Sequence, residues 1–336
     1  MSCDFFPRVR IRLVSYIALA GLSLAAAPGC IVIPVGDLLR GPLLAEQVLI
    51  EGAGFFAKEK VALIEIEGLI SGDEGGTVFN PRANTVAETK ARLQRARRDP
   101  EVRAVVLRIS SPGGEVTACD VIHHEILKFK KDTGIPVVAS IGDRGASGGY
   151  YVAMAADVVF ANPTAIVGSI GVILQHFDIS ELLTKIGVHT DPIKSAERKD
   201  LNSPLRKMTE GERGVLQKVV DDLYQRFVEV VVQGRPGLKR EDVLSLADGR
   251  VVSGTEAAAL KLVDRAAYLT DAISEARERG EIESPTIVHY TRVAKSGANI
   301  YAESNVDSAR GRGLSVNLEL GAWDGPRLYY LWQPGS

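Results

Sequence analysis

The stretch that most constrains this chain is residues 137–151, Val-Val-Ala-Ser-Ile-Gly-Asp-Arg-Gly-Ala-Ser-Gly-Gly-Tyr-Tyr. Its first five residues are rich in β-branched side chains, its middle is punctuated by glycine, and its end passes into Tyr, Val and Ala of helical character. That order reads as strand, sharp turn, helix. Ser147 falls at the turn, followed by Gly148 and Gly149, which leave room for another backbone to come close. Three readings fit: a serine that merely caps a helix, a nucleophile at a close-approach turn, or the G-x-S-x-G elbow that residues 145–149 match literally.

Strand-turn-helix units recur on both sides of this segment. Val61 to Ile66 reads as a first core strand, Ala83 to Arg98 as a helix with Arg92, Arg95, Arg97 and Arg98 on a solvated face or last turn, and Ala104 to Ile109 as the next strand. That strand runs into Ser110-Ser111-Pro112-Gly113-Gly114 before a helix starting near Glu115. Free backbone amides at such a glycine turn can hold an anion, so Gly113 and Gly114 are candidates for an oxyanion hole. Val158 to Phe160 and Val188 to Ile193 read as further strands, and Gly168-Ser169-Ile170-Gly171-Val172 as a second close-approach turn. A long helix spans Thr209 to about Gln233, with Leu216, Val219, Val220, Leu223, Phe227 and Val230 as its apolar stripe. Shorter helices at 240–246 and 254–260 bracket Asp248-Gly249-Arg250. Repeated units at this spacing argue for an α/β fold with several parallel strands.

Composition narrows the function. Over 336 residues, 46% hydrophobic and 24% charged, the formal net charge is only −2, which argues against nucleic acid as a partner. No phosphate-binding loop and no zinc-spaced Cys/His set is present, so neither a metal nor a cofactor is expected. The adjacent His123 and His124 diverge by about 100° on a helix and are assigned structural roles. The three cysteines, Cys3, Cys30 and Cys119, do not make a disulfide framework, and Cys119 reads as a small buried hydrophobe. Arg8, Arg10 and Arg12 precede an apolar run from Leu13 to Ala27, the pattern of an export signal. The run ends in Ala27-Pro28-Gly29-Cys30, similar to a bacterial lipobox with Cys30 as the lipidated residue. The alternative is an uncleaved anchor extended by Ile31, Val32 and Ile33. Either way the expectation is a domain tethered to a bacterial cell membrane on its extracytoplasmic side. The expected division is a signal segment at 1–30, a linker at 31–58, a catalytic domain at 59–280 and a C-terminal extension at 281–336 of unclear role.

Taken in order, Ser111-Pro112-Gly113-Gly114, Ala146-Ser147-Gly148-Gly149-Tyr150, Gly168-Ser169-Ile170-Gly171-Val172, Lys199-Asp200 with Ser203-Pro204, and Asp248-Gly249-Arg250 resemble the signal peptide peptidase A family of Ser-Lys peptidases in its short form. The resemblance covers roughly residues 61–272. It implies a fold of the caseinolytic-protease/crotonase type, a spiral core of strand-strand-helix units that assembles into rings. It also implies Ser147 as nucleophile, Lys199 as general base, the amides of Gly114 and Gly148 as oxyanion hole, and Ser169 with Gly113 and Gly149 in support. The implied substrates are remnant signal peptides and similar flexible apolar peptides, cut at sites shared between subunits of a homo-oligomer. Where family members usually carry Gly, any residue and an aromatic before the lysine, this chain has Ala196, Glu197 and Arg198. Such a mechanism uses a lysine that is neutral when it accepts the serine proton.

Three rival readings follow from the same residues. An α/β-hydrolase triad would need a histidine after Ser147, and His289 is the best placed by chain order over His176 and His189. A crotonase-like acyl-CoA enzyme would share the glycine turns but have no use for export or a serine nucleophile. A catalytically weak scaffold of the same fold would use only the tether and the assembly.

Overall fold

The computed structural model describes residues 44–53, 58–73, 75–77, 80–82, 84–292 and 328–332. The expected signal segment, Cys3, Cys30 and most of the expected linker lie outside them. The described chain begins with strand β1 (Leu44–Ile50), then β2 (Lys60–Ile70) and a small ribbon of β3 (Gly75–Thr77) and β4 (Asn80–Arg82). Helix α1 (Thr85–Arg98), β5 (Val102–Glu115), α2 (Val116–Thr133), β6 (Val137–Ala146) and α3 (Gly148–Ala153) follow, then β7 (Val158–Ala161), β8 (Ile166–Gly168) and β9 (Ile173–Leu174). The rest comprises α4 (Ser180–Lys185), a 3-10 turn (Glu197–Asp200), α5 (Glu210–Gly234), α6 (Arg240–Leu246), β10 (Val251–Ser253), α7 (Gly254–Ala259), β11 (Arg265–Ala266), α8 (Leu269–Arg279), β12 (Thr286–Arg292) and β13 (Leu328–Leu331).

The main sheet runs β1-β12-β2-β5-β6-β7-β11, with β8, β9, β10 and β13 attached beside it. From β12 to β11 neighbouring strands are parallel, and β1 closes one edge antiparallel to β12. Parallel strands covered on both faces are apolar at every position rather than at alternate ones. The sequence shows this directly. Ala62, Ile64, Ile66, Val105, Leu107 and Ile109 face one core with Leu93 and Ala96 of α1 and Ile122 and Ile126 of α2. The intervening Val61, Leu63, Ala104, Val106 and Val138 face a second core closed by Leu269, Ala272 and Ala276 of α8.

Several expectations need correction. Leu44–Ile50, expected in the linker, is an edge strand, and the expected extension supplies β12 and β13. Val188 to Ile193 forms no strand; it is exposed and unpaired within the sheet. Arg92 is not on the solvated face: it is buried and donates to the Glu65 carbonyl at 2.7 Å. The Pro112-Gly113-Gly114 stretch is not a turn but the extended end of β5, still paired with β2 at Ile70–Gly114. In α5, begun by a reciprocal Thr209–Glu212 capping box, the expected apolar stripe is buried only in its second half at Phe227 and Val230, while Val219 is exposed.

Candidate active site

The C-terminal ends of β5 and β6, paired at Ser111 and Gly145, carry Gly113, Gly114 and Ser147 to one place. Ser147 is buried and has φ 52° and ψ −116°, a conformation in which a non-glycine residue is strained. The strain is fixed by main-chain bonds. Ala146 pairs with Gly168 of β8, the Ser147 amide donates to the Gly168 carbonyl at 2.7 Å, and the Tyr151 amide of α3 donates to the Ser147 carbonyl at 2.9 Å. The Ser147 side chain makes no capping hydrogen bond, which disposes of the helix-cap reading.

The same device is repeated one strand away. Ser169 also has φ 52°, and its amide donates to the Arg250 carbonyl at 2.7 Å. Arg250 is held by Asp248, whose carboxylate takes its guanidinium through three contacts of 2.6–2.9 Å. Because Ala146 and Gly168 are register partners, Ser147 and Ser169 emerge side by side.

The glycines are spaced for backbone contact. An ideal Cβ on Gly113 (φ 102°) would lie 2.6 Å from the Gly148 nitrogen, and one on Gly148 would lie 3.1 Å from the Gly114 nitrogen. On Gly149 it would lie 2.6 Å from the Ser111 carbonyl oxygen. No side chain fits between the backbones of Gly113–Gly114 and Gly148–Gly149 beside Ser147. Ser111, quoted in the motif but given no role from sequence, ties this corner together. Its buried hydroxyl donates to the Gly68 carbonyl at 2.6 Å and accepts from the Gly113 amide at 3.0 Å.

Behind the glycines lies an aromatic wall. Tyr150 donates to the Leu262 carbonyl at 2.7 Å. Tyr151 donates to Asp120, which also receives Arg226. Burial alone would raise the Asp120 carboxyl, but those hydrogen bonds outweigh it and hold the group below its ordinary range. Burial pushes the Cys119 thiol upward, so Cys119 is a packing residue with no thiolate character, and burial lowers His123 to about 4. His124, at the next position of α2 and about 100° round the helix, is exposed.

Lys199 is placed differently. It lies on the exposed 3-10 turn of residues 197–200, and its ammonium makes no hydrogen bond or ion pair among the described residues. Its neighbour Asp200 is anchored by Arg206 and Lys194 at 2.8 and 2.9 Å, and Arg206 also binds Glu212 at the start of α5. Hydrogen bonds from Arg206 first, then Lys194, hold Asp200 well below the usual carboxylate range. Ala196, Glu197 and Arg198 are exposed beside it. Within one chain the structure brings together Ser147, Ser169 and the four glycines 113, 114, 148 and 149, and leaves Lys199 facing outward.

The triad reading fails on register. His289 in β12 pairs with Leu63, Leu63 with Val106, and Val106 with Val138. His289 is thus three strands from β6, level with a residue nine positions before Ser147, roughly 30 Å along the strand direction. There its Nε2 lies 3.2 Å from Glu65 Oε2. Among the described residues no group of three or more His, Cys, Asp or Glu could hold a metal, and no helix is long and apolar enough to cross a membrane.

Comparison with known proteins shows the family. A model of peptidase family S49 matches residues 129–283, from the end of α2 past α8. The chain is 32% identical over 295 residues to an Enterococcus faecium protein named "Putative signal peptide peptidase SppA", covering 85% of this chain and 84% of that one. The chain belongs to peptidase family S49. Further members similar to it are "Protease 4" of Haemophilus influenzae, 34% identical over 222 residues, and "Serine protease SPPA, chloroplastic" of Arabidopsis thaliana, 32% identical over 246 residues. The matches take in 65% and 71% of this chain but only 34% and 36% of those longer proteins. As an S49 member the chain is a serine peptidase, with the mixed α/β fold of the family. That sets aside the acyl-CoA reading.

Proposed function

We propose that Ser147 is the nucleophile and Lys199 the general base of an endopeptidase whose sites are completed between chains. Ser147 would attack the substrate carbonyl as Lys199 takes its proton. The amides of Gly114 and Gly148 would hold the oxyanion, each worth about 3–4 kcal/mol in the transition state. Ser169, level with Ser147 on the neighbouring strand, would orient the lysine. The observation that carries this reading is the buried, strained Ser147 beside two amides whose glycines admit no side chain.

What supports a shared site is the surface around Lys199. Between β9 and α5 the chain exposes Phe177 and Leu182 at 58%, Ile186 at 64% and Ile193 fully, with no buried residue in α4. Apolar side chains gathered in this way mark an interface. A second copy of this chain is the partner that would both cover them and bring Lys199 to a neighbouring Ser147. Such a heterologous contact, repeated about an axis, closes into a ring. The N-terminal pattern supports a membrane tether through a lipidated Cys30 or an anchor, with the peptidase outside the cytoplasm. Remnant signal peptides are then the natural substrates, because ordering an already flexible chain in a groove costs less than unfolding a domain.

The test mixes two inactive variants, Ser147→Ala and Lys199→Ala, under conditions where subunits exchange. Each alone is inactive and unlabelled or unproductive with a fluorophosphonate probe; together, activity returns at junctions that pair an intact serine with an intact lysine. Demonstrated exchange without recovered activity would show that each chain builds its own site.

A further inference from the structure

The apolar pattern of the central strands stops part-way along one face of the sheet. On the face covered by α8, Leu63, Val106, Val138 and Val158 stand level with one another on β2, β5, β6 and β7. Two residues further on, the same face carries Glu65, Arg108 and Ser140, again level with one another, and then Glu67 and Ser110. Strand β7 changes one step later, from Phe160 to Asn162. A parallel sheet made only to be covered would stay apolar to its end, because a polar group taken from water costs free energy unless it is partnered. Helix α8 begins at the same level. Leu269, its first residue, packs on the apolar part and also borders the space beyond it.

That space is a cavity of about 640 Å³, within the range of small-ligand sites. It lies at the carboxyl ends of parallel strands, where open α/β sheets bind their ligands. Helix α3, which follows Ser147, packs in the other core, so the cavity and that helix lie on opposite faces of the sheet. The lining carries both signs of charge. Arg108 donates to Glu65 Oε1 at 2.8 Å, and its Nη2 is 3.6 Å from Glu67. Arg144 and Asp143, from the end of β6, add a second pair. The Arg144 Nε is shut off from solvent and has no aligned acceptor among the described residues, Asp143 Oδ2 lying 3.1 Å away but off its donor axis. Ser110, Ser140, Asn162 and Thr164 supply uncharged donors and acceptors, and among the described residues of the lining Leu269 is the one large apolar side chain.

This chemistry narrows the occupant. The carboxylates repel a phosphate or other polyanion, and the guanidiniums repel a polycation. With no aromatic ring among the described lining residues, a nucleobase has no face to stack on. A molecule with one ammonium and one carboxylate answers both charges at once. We propose that this cavity binds short peptides with free ends, two or three residues long, with the terminal carboxylate on Arg144 and the terminal ammonium at Glu67. A free amino acid carries the same two charges but leaves most of the space unfilled. Such peptides are end products of peptide hydrolysis, and the cavity holds them against β6, the strand that leads to Ser147.

The test uses the full chain carrying Ser147→Ala and reads binding by calorimetry, without catalysis. Ala-Ala-Ala should bind, while N-acetyl-Ala-Ala-Ala, Ala-Ala-Ala amide and free alanine should each bind at least about tenfold more weakly, the worth of a hydrogen bond to a charged group. Adding Arg144→Gln should weaken the free tripeptide by about the same factor and leave its amide unchanged. Adding Glu67→Gln should likewise weaken the free tripeptide and leave the N-acetyl peptide unchanged. A Cβ on Gly142, which lines the cavity, would meet only the Ile109 carbonyl oxygen, at 3.7 Å, so Gly142→Leu fills the space with every charge in place and should abolish binding. Should Gly142→Leu fail to fold, the Arg144→Gln and Glu67→Gln comparisons still decide. No binding, equal binding of free and blocked peptides, or binding that survives Arg144→Gln and Glu67→Gln overturns the proposal. Alanine binding as tightly as the tripeptide overturns the peptide assignment. None of these readouts depends on Ser147 being the nucleophile, so their failure leaves the peptidase reading intact.

Discussion

Gly148→Ala probes the proposed oxyanion corner with a single methyl group. An ideal Cβ at 148 would lie 2.4 Å from Cys119 Sγ and 3.1 Å from both Gly113 Cα and the Gly114 nitrogen. Non-bonded heavy atoms settle at about 3.5–4.0 Å, so the methyl is roughly an ångström too deep against the sulfur and a few tenths too deep against the backbone. Cys119 is fully buried and has little room to turn away. Overpacking of this kind costs about 1–3 kcal/mol of stability. The groups pushed aside are the two amides, and removing one such donor lowers kcat by about 10²–10³. Cys119→Ala separates these effects. Alone it leaves a small cavity worth about 1 kcal/mol. Combined with Gly148→Ala, the new methyl occupies the space the sulfur left, giving a favourable coupling of about 1–2 kcal/mol. Activity should stay low in the double variant, since the 3.1 Å contact with the Gly114 nitrogen persists. Urea denaturation of the four proteins and hydrolysis of one fluorogenic peptide measure both. Strict additivity of the two stability changes, or near-native hydrolysis by Gly148→Ala, would refute the packing drawn here.

Two pH dependences follow. His123, against the Tyr151 ring at 5.3 Å, is lowered by burial from 6.5 to about 4. The unfolded chain then takes up this proton first as pH falls, so stability drops between those values by a total on the order of 3 kcal/mol. Urea midpoints measured across that range should show the loss, and His123→Phe should flatten it. Peptide hydrolysis should rise from neutral into alkaline pH as a lysine base requires, and His289→Gln should leave the profile unchanged. A single step near the ordinary histidine range that disappears in His289→Gln would restore the triad.

The central strands were readable because their own residues determine them. Val61 to Ile66, Ala104 to Ile109 and Val137 to Ile141 are apolar at nearly every position, a pattern that only a sheet covered on both faces explains. Ser147 stood out for a related reason, since its flanking glycines have no other use in a helix start. The ends of the sheet were harder. Leu44–Ile50 mixes Glu46 and Gln47 with apolar residues and becomes a strand only because β12 offers an edge. Leu328–Leu331 is four residues long, and its place beside Gly114 depends on a partner more than two hundred positions earlier. Val188 to Ile193 failed in the opposite sense: it has the composition of a strand but no edge to join. Lys199 was legible only through its place in the ordered set of motifs, because it sits on an exposed turn where its ammonium has no partner among the described residues to mark the role proposed above.

The support of Ser147 is built from backbone atoms: its amide on the Gly168 carbonyl, and the Ser169 amide on the Arg250 carbonyl. What this support demands of residues 248–253 is therefore a fixed main-chain path from the Asp248–Arg250 pair into β10, rather than a side chain that reaches Ser147. Deleting Gly249 would draw the Arg250 carbonyl off the Ser169 amide, pull Gly168 with it and carry the displacement to Ser147. Divergent homologues of this chain should accordingly tolerate no insertion or deletion between residues 248 and 253.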